Sequence, residues 1–505
     1  MSKVNSICIL GGGTSGFCIA SLLSRYRELS GLDFDITVVH NEKSGSLAVG
    51  ESTLLGINQV FSYLGVRDSE WMKKCNATYK TAIRFEDFYK KGSYFYYPFG
   101  WMESPNHNPQ FIRDWFIMKD YHPESCTSEK AAHYFLPSAV LADKNKLPDE
   151  GFDIENNTAY HFDSLLIGKF LKEYAEEKGV VVVNDNFYGT EQDKYGNIES
   201  IVCDNGTYRS DLFVDCTGFN SLLLGKTMSE EYISFSDTLI NNKALVAKIP
   251  YTNKEEQLNN YTNCFAMDSG WCWEIPLWDK LSVGYVHTNR FATEKEIEEE
   301  FFEYLGNKVD YRTYNFKTGR YKRGWVKNVV AVGLSYGFLE PLESTGISTM
   351  LINSLRLLEF LSKRDMFYTQ VDRDAFNYSV GNNIDGLKNF IESHYFLSSR
   401  EDSDYWKYVT QNITYDYDKF LDRSVTSRSY YHSDSSSGTK YICAGMNYSP
   451  FSKAIILHED EKNKSLRKHI DTKVDQFEEY VKDLEKQAED LPSTHQFLLS
   501  TIYAD

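Results

Sequence analysis

Gly11, Gly13 and Gly16 stand between an apolar run and a helix-like run in KVNSICILGGGTSGFCIASLLSRY (3–26). In that setting G-x-G-x-x-G handles phosphate with backbone alone. The first glycine permits a tight turn, the second admits a pyrophosphate against bare backbone, and the third lets helix and strand pack closely. The helix start, with Thr14 and Ser15, then turns its free N–H groups toward the phosphates. A purely structural turn is the plain alternative. The turn serves NAD and FAD alike. Here it sits at the N-terminus, with a distant DLFVDCTG (211–218) and a late VVAVG (329–333) that leads into Leu334. That layout is the one used by flavoproteins built on two dinucleotide folds, so FAD is expected, with Gly333 and Leu334 in its site. Such proteins place an acid at the end of the second strand to hold a ribose. His40 occupies that place, with Glu42 two residues on. Either Glu42 substitutes or the adenosine end is held loosely, and loose binding is expected.

A second stretch with chemical content is GWCWEIPL (270–277). Its alternation predicts a strand closed by Pro276, with Trp271 and Trp273 on one face. Two core tryptophans are the plain explanation. A wall that shapes a cavity is the other.

The totals set the frame. The chain has 505 residues, 42% of them hydrophobic, so two or three packed modules are expected. Aromatics reach 15%, which suits packing or aromatic-lined cavities. A formal net charge of −18 argues against nucleic acid or anionic membrane as partner. The 9 cysteines are scattered and form no C-x-x-C, so neither a disulfide framework nor a metal site is signalled. A cytoplasmic, reducing location fits that usage. No apolar run is long enough to span a bilayer.

The elements that must position these residues follow from periodicity. The glycine turn joins a strand holding Ile7, Ile9 and Leu10 to a helix carrying Ile19, Leu22, Leu23 and Tyr26. FDITVVHNE (34–42) is the next strand of a βαβ unit. Residues 161–179 predict a helix stopped at Gly179, followed by strands with turns at Tyr195-Gly196-Asn197 and Asn205-Gly206. Residues 327–361 predict a strand, a long loop and a helix. Residues 376–425 look helical, 425–450 loop-like, and the charged tail from about 458 helical with a solvated face.

Taken together, VGESTL (49–54), NATYKTAIRFEDF (76–88), YPFG (97–100), HFD (161–163), DLFVDCTGF (211–219), GWCWEIP (270–276), GLSYGFLEPLESTGI (333–347) and HYFLSSREDSDYW (394–406) resemble the flavin-dependent halogenases of the tryptophan-halogenase family. The resemblance runs from residue 6 to about 410. The tryptophan pair and EPLESTGI are its specific parts; the glycine turn is shared with many flavoproteins.

The resemblance implies an α/β fold: a Rossmann-type FAD module of the two-dinucleotide-fold kind, with an added, mainly helical substrate module. It implies reduced FAD supplied by a separate flavin reductase, oxygen, a halide ion and a small aromatic substrate. Hypohalous acid forms at the flavin and travels through the protein to a lysine. Lys80 matches that lysine and would hold the oxidised halogen by hydrogen bond or as a haloamine. Burial among aromatics would favour its neutral form. Glu343 matches the acid that polarises the halogen or collects the ring proton, although an ion pair with Lys80 would be a structural alternative. Thr345 and Gly346 match the halide site, Ser344 a residue coupling the two sites, and Gly50 and Glu51 the strap over the flavin. Trp271 and Trp273 match the pair beside the tunnel, where bulk keeps substrate from the flavin.

The sequence also departs from the family. Phe99 matches an aromatic that packs on the indole, but Tyr97 stands where a histidine is usual. Tyr430 and Tyr431, then Ser436 and Tyr441, fall where members grip the amino-acid part, with a weak match. These departures speak against free tryptophan as the native substrate, and the broader expectation is an electron-rich aromatic of the indole, phenol or pyrrole type. An FAD aromatic monooxygenase and an inactive flavin-binding homologue are the competing readings. Absence of a second G-x-G-x-x-G speaks against the first, and the joint presence of Lys80, Glu343 and the STG loop against the second. The expected division is 1–375, carrying insertions at about 90–150 and 225–325, and a helical 376–505.

Overall fold

The computed structural model describes residues 2–43, 49–100, 109–136, 138–148, 153–413, 434–449 and 466–504. The chain divides into two compact units, each assembled from three stretches. The first holds 1–77, 161–240 and 315–386; the second holds 78–160, 241–314 and 387–505. The division therefore does not fall at residue 375. Both expected insertions lie largely in the second unit, together with the C-terminal helices, and the first insertion shares a core with the tail there.

In the first unit a six-stranded sheet runs in the order 325–326, 329–331, 212–215, 6–10, 35–40, 181–184. Ser6–Leu10 is central, parallel to both neighbours, with Ile9 opposite Val38 on one side and Val214 on the other. Ile7, Cys8 and Ile9 are all buried. A strand covered on both faces needs such a continuous apolar run. Helix Thr14–Ser30 follows and ends at Gly31 in the left-handed region, φ 68°. The helix expected over 161–179 starts later, at Ser164, because Asp163 caps it by accepting from the N–H groups of Leu165 and Leu166. His161–Asp163 instead pair antiparallel with Gly50–Ser52.

In the second unit a seven-stranded sheet runs in the order 311–315, 243–249, 281–287, 270–276, 261–266, 82–86, 94–98. Gly270–Pro276 lies inside it, between Leu281–His287 and Tyr261–Ala266, and ends at Pro276 as its alternation predicts. Helix Glu294–Leu305 covers one face, burying Ile297 and Phe301 against Leu245, Val283 and Tyr285. A separate core gathers Trp115, Phe135, Tyr441, Ile470, Val474 and Phe477. This core includes a segment whose composition predicts loop. The serine-rich stretch expected as loop contains helix Asp434–Gly445, since burial of Tyr441, Cys443 and Ala444 outweighs weak local propensity. The charged tail is helical over Leu466–Glu489, with buried residues three or four apart and charges on the other face. Among the described residues, no helix is long and apolar enough to cross a membrane.

Candidate active site

The glycine turn has the shape its spacing predicts. A Cβ on Gly16 would lie 1.9 Å from the Gly11 carbonyl oxygen, and one on Gly11, at φ 110°, 2.3 Å from that of Cys216. Both positions exclude any side chain. Gly13 differs: nothing lies within 4 Å of where its Cβ would stand. Gly13 is also the N-cap of the helix, and no side chain caps that end. Bare N–H groups facing open space fit a pyrophosphate. Thr14 is anchored by its hydroxyl, which donates to the Ser164 carbonyl at 3.1 Å. Gly333, at φ 67°, closes on Ser15: a Cβ there would meet the serine Oγ at 2.5 Å. Leu334, half-buried, follows in the same turn.

Glu42 and His40, at the expected ribose position, have different surroundings. Glu42 accepts from Lys172 at 3.1 Å and from Asn184 at 3.3 Å, and Lys172 lowers its pKa. His40 lies against the turn itself, with its ring where a Cβ on Gly12 would be and edge-on to Phe17 at 5.6 Å. Its Nε2 is buried and has no hydrogen-bond partner among the described residues. Desolvation, then Lys172, lowers its pKa, which favours the neutral imidazole. An orphan nitrogen beside the dinucleotide turn fits the adenosine end of FAD.

The strap and the EPLESTG loop meet within the first unit. Ser344 donates to Ser52 at 3.0 Å, both hydroxyls buried. Ser344 holds φ 56°, a left-handed conformation that costs a non-glycine residue energy and marks a constrained turn. It joins the short turn Pro341–Glu343 to helix Thr345–Ser362, whose first turn again lacks a side-chain cap. Thr345 donates to the Glu340 carbonyl at 3.3 Å. Beside Gly346 the space is open to 4 Å. Glu343 is 1% exposed. On the strap, Glu51 pairs across from Phe162, and desolvation pushes its carboxyl up to about 7.

The remaining candidates lie in the second unit. Lys80 ends the strand Thr78–Lys80, is fully buried, and sets Nζ 4.7 Å from the centre of the Phe99 ring. Phe99 meets Tyr97 edge-on at 5.6 Å, and Tyr97 stacks on Tyr441 at 5.4 Å. Trp271 and Trp273 lie 6.1 Å apart, tilted. Trp273 faces Gly284 across the sheet, and a Cβ on that glycine would fall 2.0 Å from the indole. The cross-strand glycine is what makes room for the ring, and the tryptophan motif does not point to it.

The family described as tryptophan halogenase matches residues 6–451. The chain is 34% identical over 427 residues to 7-chloro-L-tryptophan 6-halogenase KtzR of Kutzneria sp. (strain 744), covering 79% of this chain and 80% of that one. It is 34% identical to tryptophan 7-halogenase RebH of Lentzea aerocolonigenes, covering 80% and 78%. The chain belongs to the tryptophan halogenase family. Among solved structures, the VirX1 apo structure superposes with a TM-score of 0.90 at 33% identity over 100% of both chains. Tar14, a tryptophan C-6 flavin-dependent halogenase from taromycin biosynthesis, does so at 0.85 and 31% over 98% and 99%.

In this flavin-dependent halogenase the aromatic neighbourhood of Lys80 is self-packed. Gly438 is pressed against Phe390 and Tyr97, 2.6 and 3.0 Å from a Cβ it does not carry. Of the residues matched to an amino-acid grip, Tyr441 is buried in the core, and Ser436 sits on helix Asp434–Gly445. Tyr430 and Tyr431 lie outside the described residues. Motif reading also missed Asn260, which is buried and accepts from both the N–H (2.7 Å) and the hydroxyl (3.0 Å) of Thr81, next to Lys80. No local pattern marks it.

Proposed function

We propose that this enzyme halogenates an electron-rich aromatic of the indole, phenol or pyrrole type through Lys80, with free tryptophan not its native substrate. The burial of Lys80 against Phe99 carries the reading. A lysine kept for charge would sit in water; one shut among rings is placed to present an amine. Bound reduced FAD, delivered by a separate reductase, supplies with oxygen the two-electron oxidation of halide to hypohalous acid. The Gly11–Gly16 turn, the Gly50–Glu51 strap and Gly333–Leu334 bind that cofactor. Thr345 and Gly346 offer backbone N–H groups to the halide. Trp271 and Trp273 exclude substrate from the cofactor, and Ser344, bonded to the strap through Ser52, couples strap and halide loop.

Lys80 Nζ receives the oxidised halogen, hydrogen-bonded or as a haloamine with loss of water. The substrate ring attacks the halogen, and Glu343 takes the proton released as aromaticity returns. Overall, one aromatic C–H becomes C–halogen, oxygen is reduced to two waters, and reduced FAD is oxidised. The Tyr97–Tyr441 stack supports a substrate other than tryptophan, because it fills the neighbourhood of Phe99 with the protein's own rings.

The test incubates the protein with FAD, a flavin reductase, NADH, oxygen, catalase and each halide against a panel of indoles, phenols and pyrroles. Mass spectrometry should show halogenated product that Lys80→Ala lowers at least about 10³-fold, as loss of a participating group does. Hydroxylated product would overturn the reading in favour of a monooxygenase.

A further inference from the structure

Residues beyond 451 fall outside the family match, yet the last segment leads back to the Lys80 strand by two routes. The first is direct. Tyr79, the residue before Lys80, is 3% exposed and wedged between Tyr160 at 5.7 Å and Phe497, edge-on at 6.1 Å. Phe497 is 4% exposed, on helix Thr494–Thr501.

The second route begins at Thr81, the residue after Lys80. Its N–H and hydroxyl are held by the Asn260 carbonyl, and its own carbonyl accepts from the N–H of Phe99 at 2.7 Å. Asn260 is held in turn by the carbonyls of Leu141 (3.2 Å) and Lys146 (2.9 Å) and by the Asn145 side chain (3.1 Å). That same short loop grips the tail. Thr494 N–H donates to the Asn145 carbonyl at 3.0 Å, Leu147 N–H to that of Pro492 at 3.3 Å, and Lys146 Nζ to that of Leu491 at 2.6 Å. Both neighbours of Lys80 thus end on residues 491–497.

The tail is fastened at each end. Ser493 and Gln496 cap the helix reciprocally. Ser493 and His495 both bond Glu255, the latter at 2.5 Å. Tyr503 lies flat on Trp278, ring centres 3.8 Å apart and planes 6° from parallel. The opposing anchor belongs to the strand end: Thr78 Oγ1 donates to the Pro276 carbonyl at 2.6 Å.

We propose that residues 491–503 are a positioning clamp for Lys80, setting how much of the hypohalous acid is captured on the lysine rather than lost. Phe497 is the positioning residue; it touches no reacting atom. The proposal rests on the reading of Lys80 above. A displacement of about 1 Å at a reacting group can cost about 10²-fold, and capture competes with escape of a freely diffusing oxidant. Loosening the strand should therefore waste oxidant rather than slow its formation.

The test uses the full chain with Phe497→Ala, Phe497→Leu and Tyr503→Ala. Phe497→Ala should lower halogenated product per flavin reoxidised by about tenfold or more, with the flavin reoxidation rate unchanged and hypohalous acid or peroxide released instead. Phe497→Leu should restore most of the coupling, since it refills the space beside Tyr79. Without flavin, hydrogen exchange at residues 78–81 should quicken in Phe497→Ala at a temperature where the protein stays folded. Tyr503→Ala, which frees only the far end, should lower coupling by a smaller factor. It decides alone if Phe497→Ala does not fold. Parental coupling in whichever variant folds, or unchanged exchange at 78–81, overturns the clamp. Full halogenation by Lys80→Ala would instead overturn the Lys80 reading, so the two failures are told apart.

Discussion

The two units reach their chemistry by opposite means. In the first, groups suited to phosphate and halide are backbone: uncapped helix starts at Gly13 and Ser344, with open space at Gly13 and Gly346. Backbone also shapes the turn, since Gly11 and Gly16 admit no side chain. In the second unit the proposed chemistry rests on side chains, Lys80, Phe99 and the tryptophan pair, packed against other side chains. A backbone site needs only the right residues in a row. A side-chain site needs a packed neighbourhood, and each neighbour becomes a point where it can be tuned or broken.

Single methyl groups should expose the contrast most strongly. Gly16→Ala forces a Cβ into a backbone carbonyl that cannot turn away. It should cost about 3 kcal/mol and abolish FAD binding, seen as lost flavin fluorescence quenching and a lowered Tm. Gly284→Ala pushes against the Trp273 indole, a side chain that can shift. It should cost about 1–2 kcal/mol, leave FAD affinity unchanged and change which panel substrates are halogenated. Lost FAD binding in Gly284→Ala would break the comparison.

A smaller effect should come from His40, whose buried Nε2 has no hydrogen-bond partner among the described residues. If Nε2 meets the adenosine ribose, His40→Ala removes about 1 kcal/mol, weakening FAD about fivefold. FMN has no adenosine, so its affinity should not change. An equal loss for both flavins would place His40 in packing rather than recognition.

The smallest effect concerns Glu51. Its carboxyl is raised to about 7 by desolvation, so between the usual carboxylate range and pH 7 the folded state holds the proton longer than the unfolded chain does. Stability must then fall as pH rises through that window. Glu51→Gln should match the parent near pH 4 and gain stability up to about pH 8. The gain should be no more than about 1 kcal/mol for a half-buried group, read as the difference in Tm against pH. A difference constant with pH would mean that the carboxyl titrates normally.

Much of this protein follows from sequence alone. The βαβ turn, the tryptophan strand ending at Pro276 and the helix after EPLESTG are local objects, set by glycine spacing, alternation and periodicity within a dozen residues. Other features depend on contacts far apart in the chain, and local propensity pointed the wrong way or nowhere. The serine-rich Asp434–Gly445 is helical because its buried face joins an aromatic core. Glu42, one of the two readings of the ribose position, bonds Lys172 and Asn184 from other elements. Gly284 matters only because strand pairing sets it opposite Trp273. Asn260 bonds Thr81 and Phe497 packs on Tyr79, the two neighbours of Lys80, from far along the chain. Sequence pattern reports periodicity along the chain. Which side chain presses on which across hundreds of residues is decided by packing, and only the tertiary structure shows it.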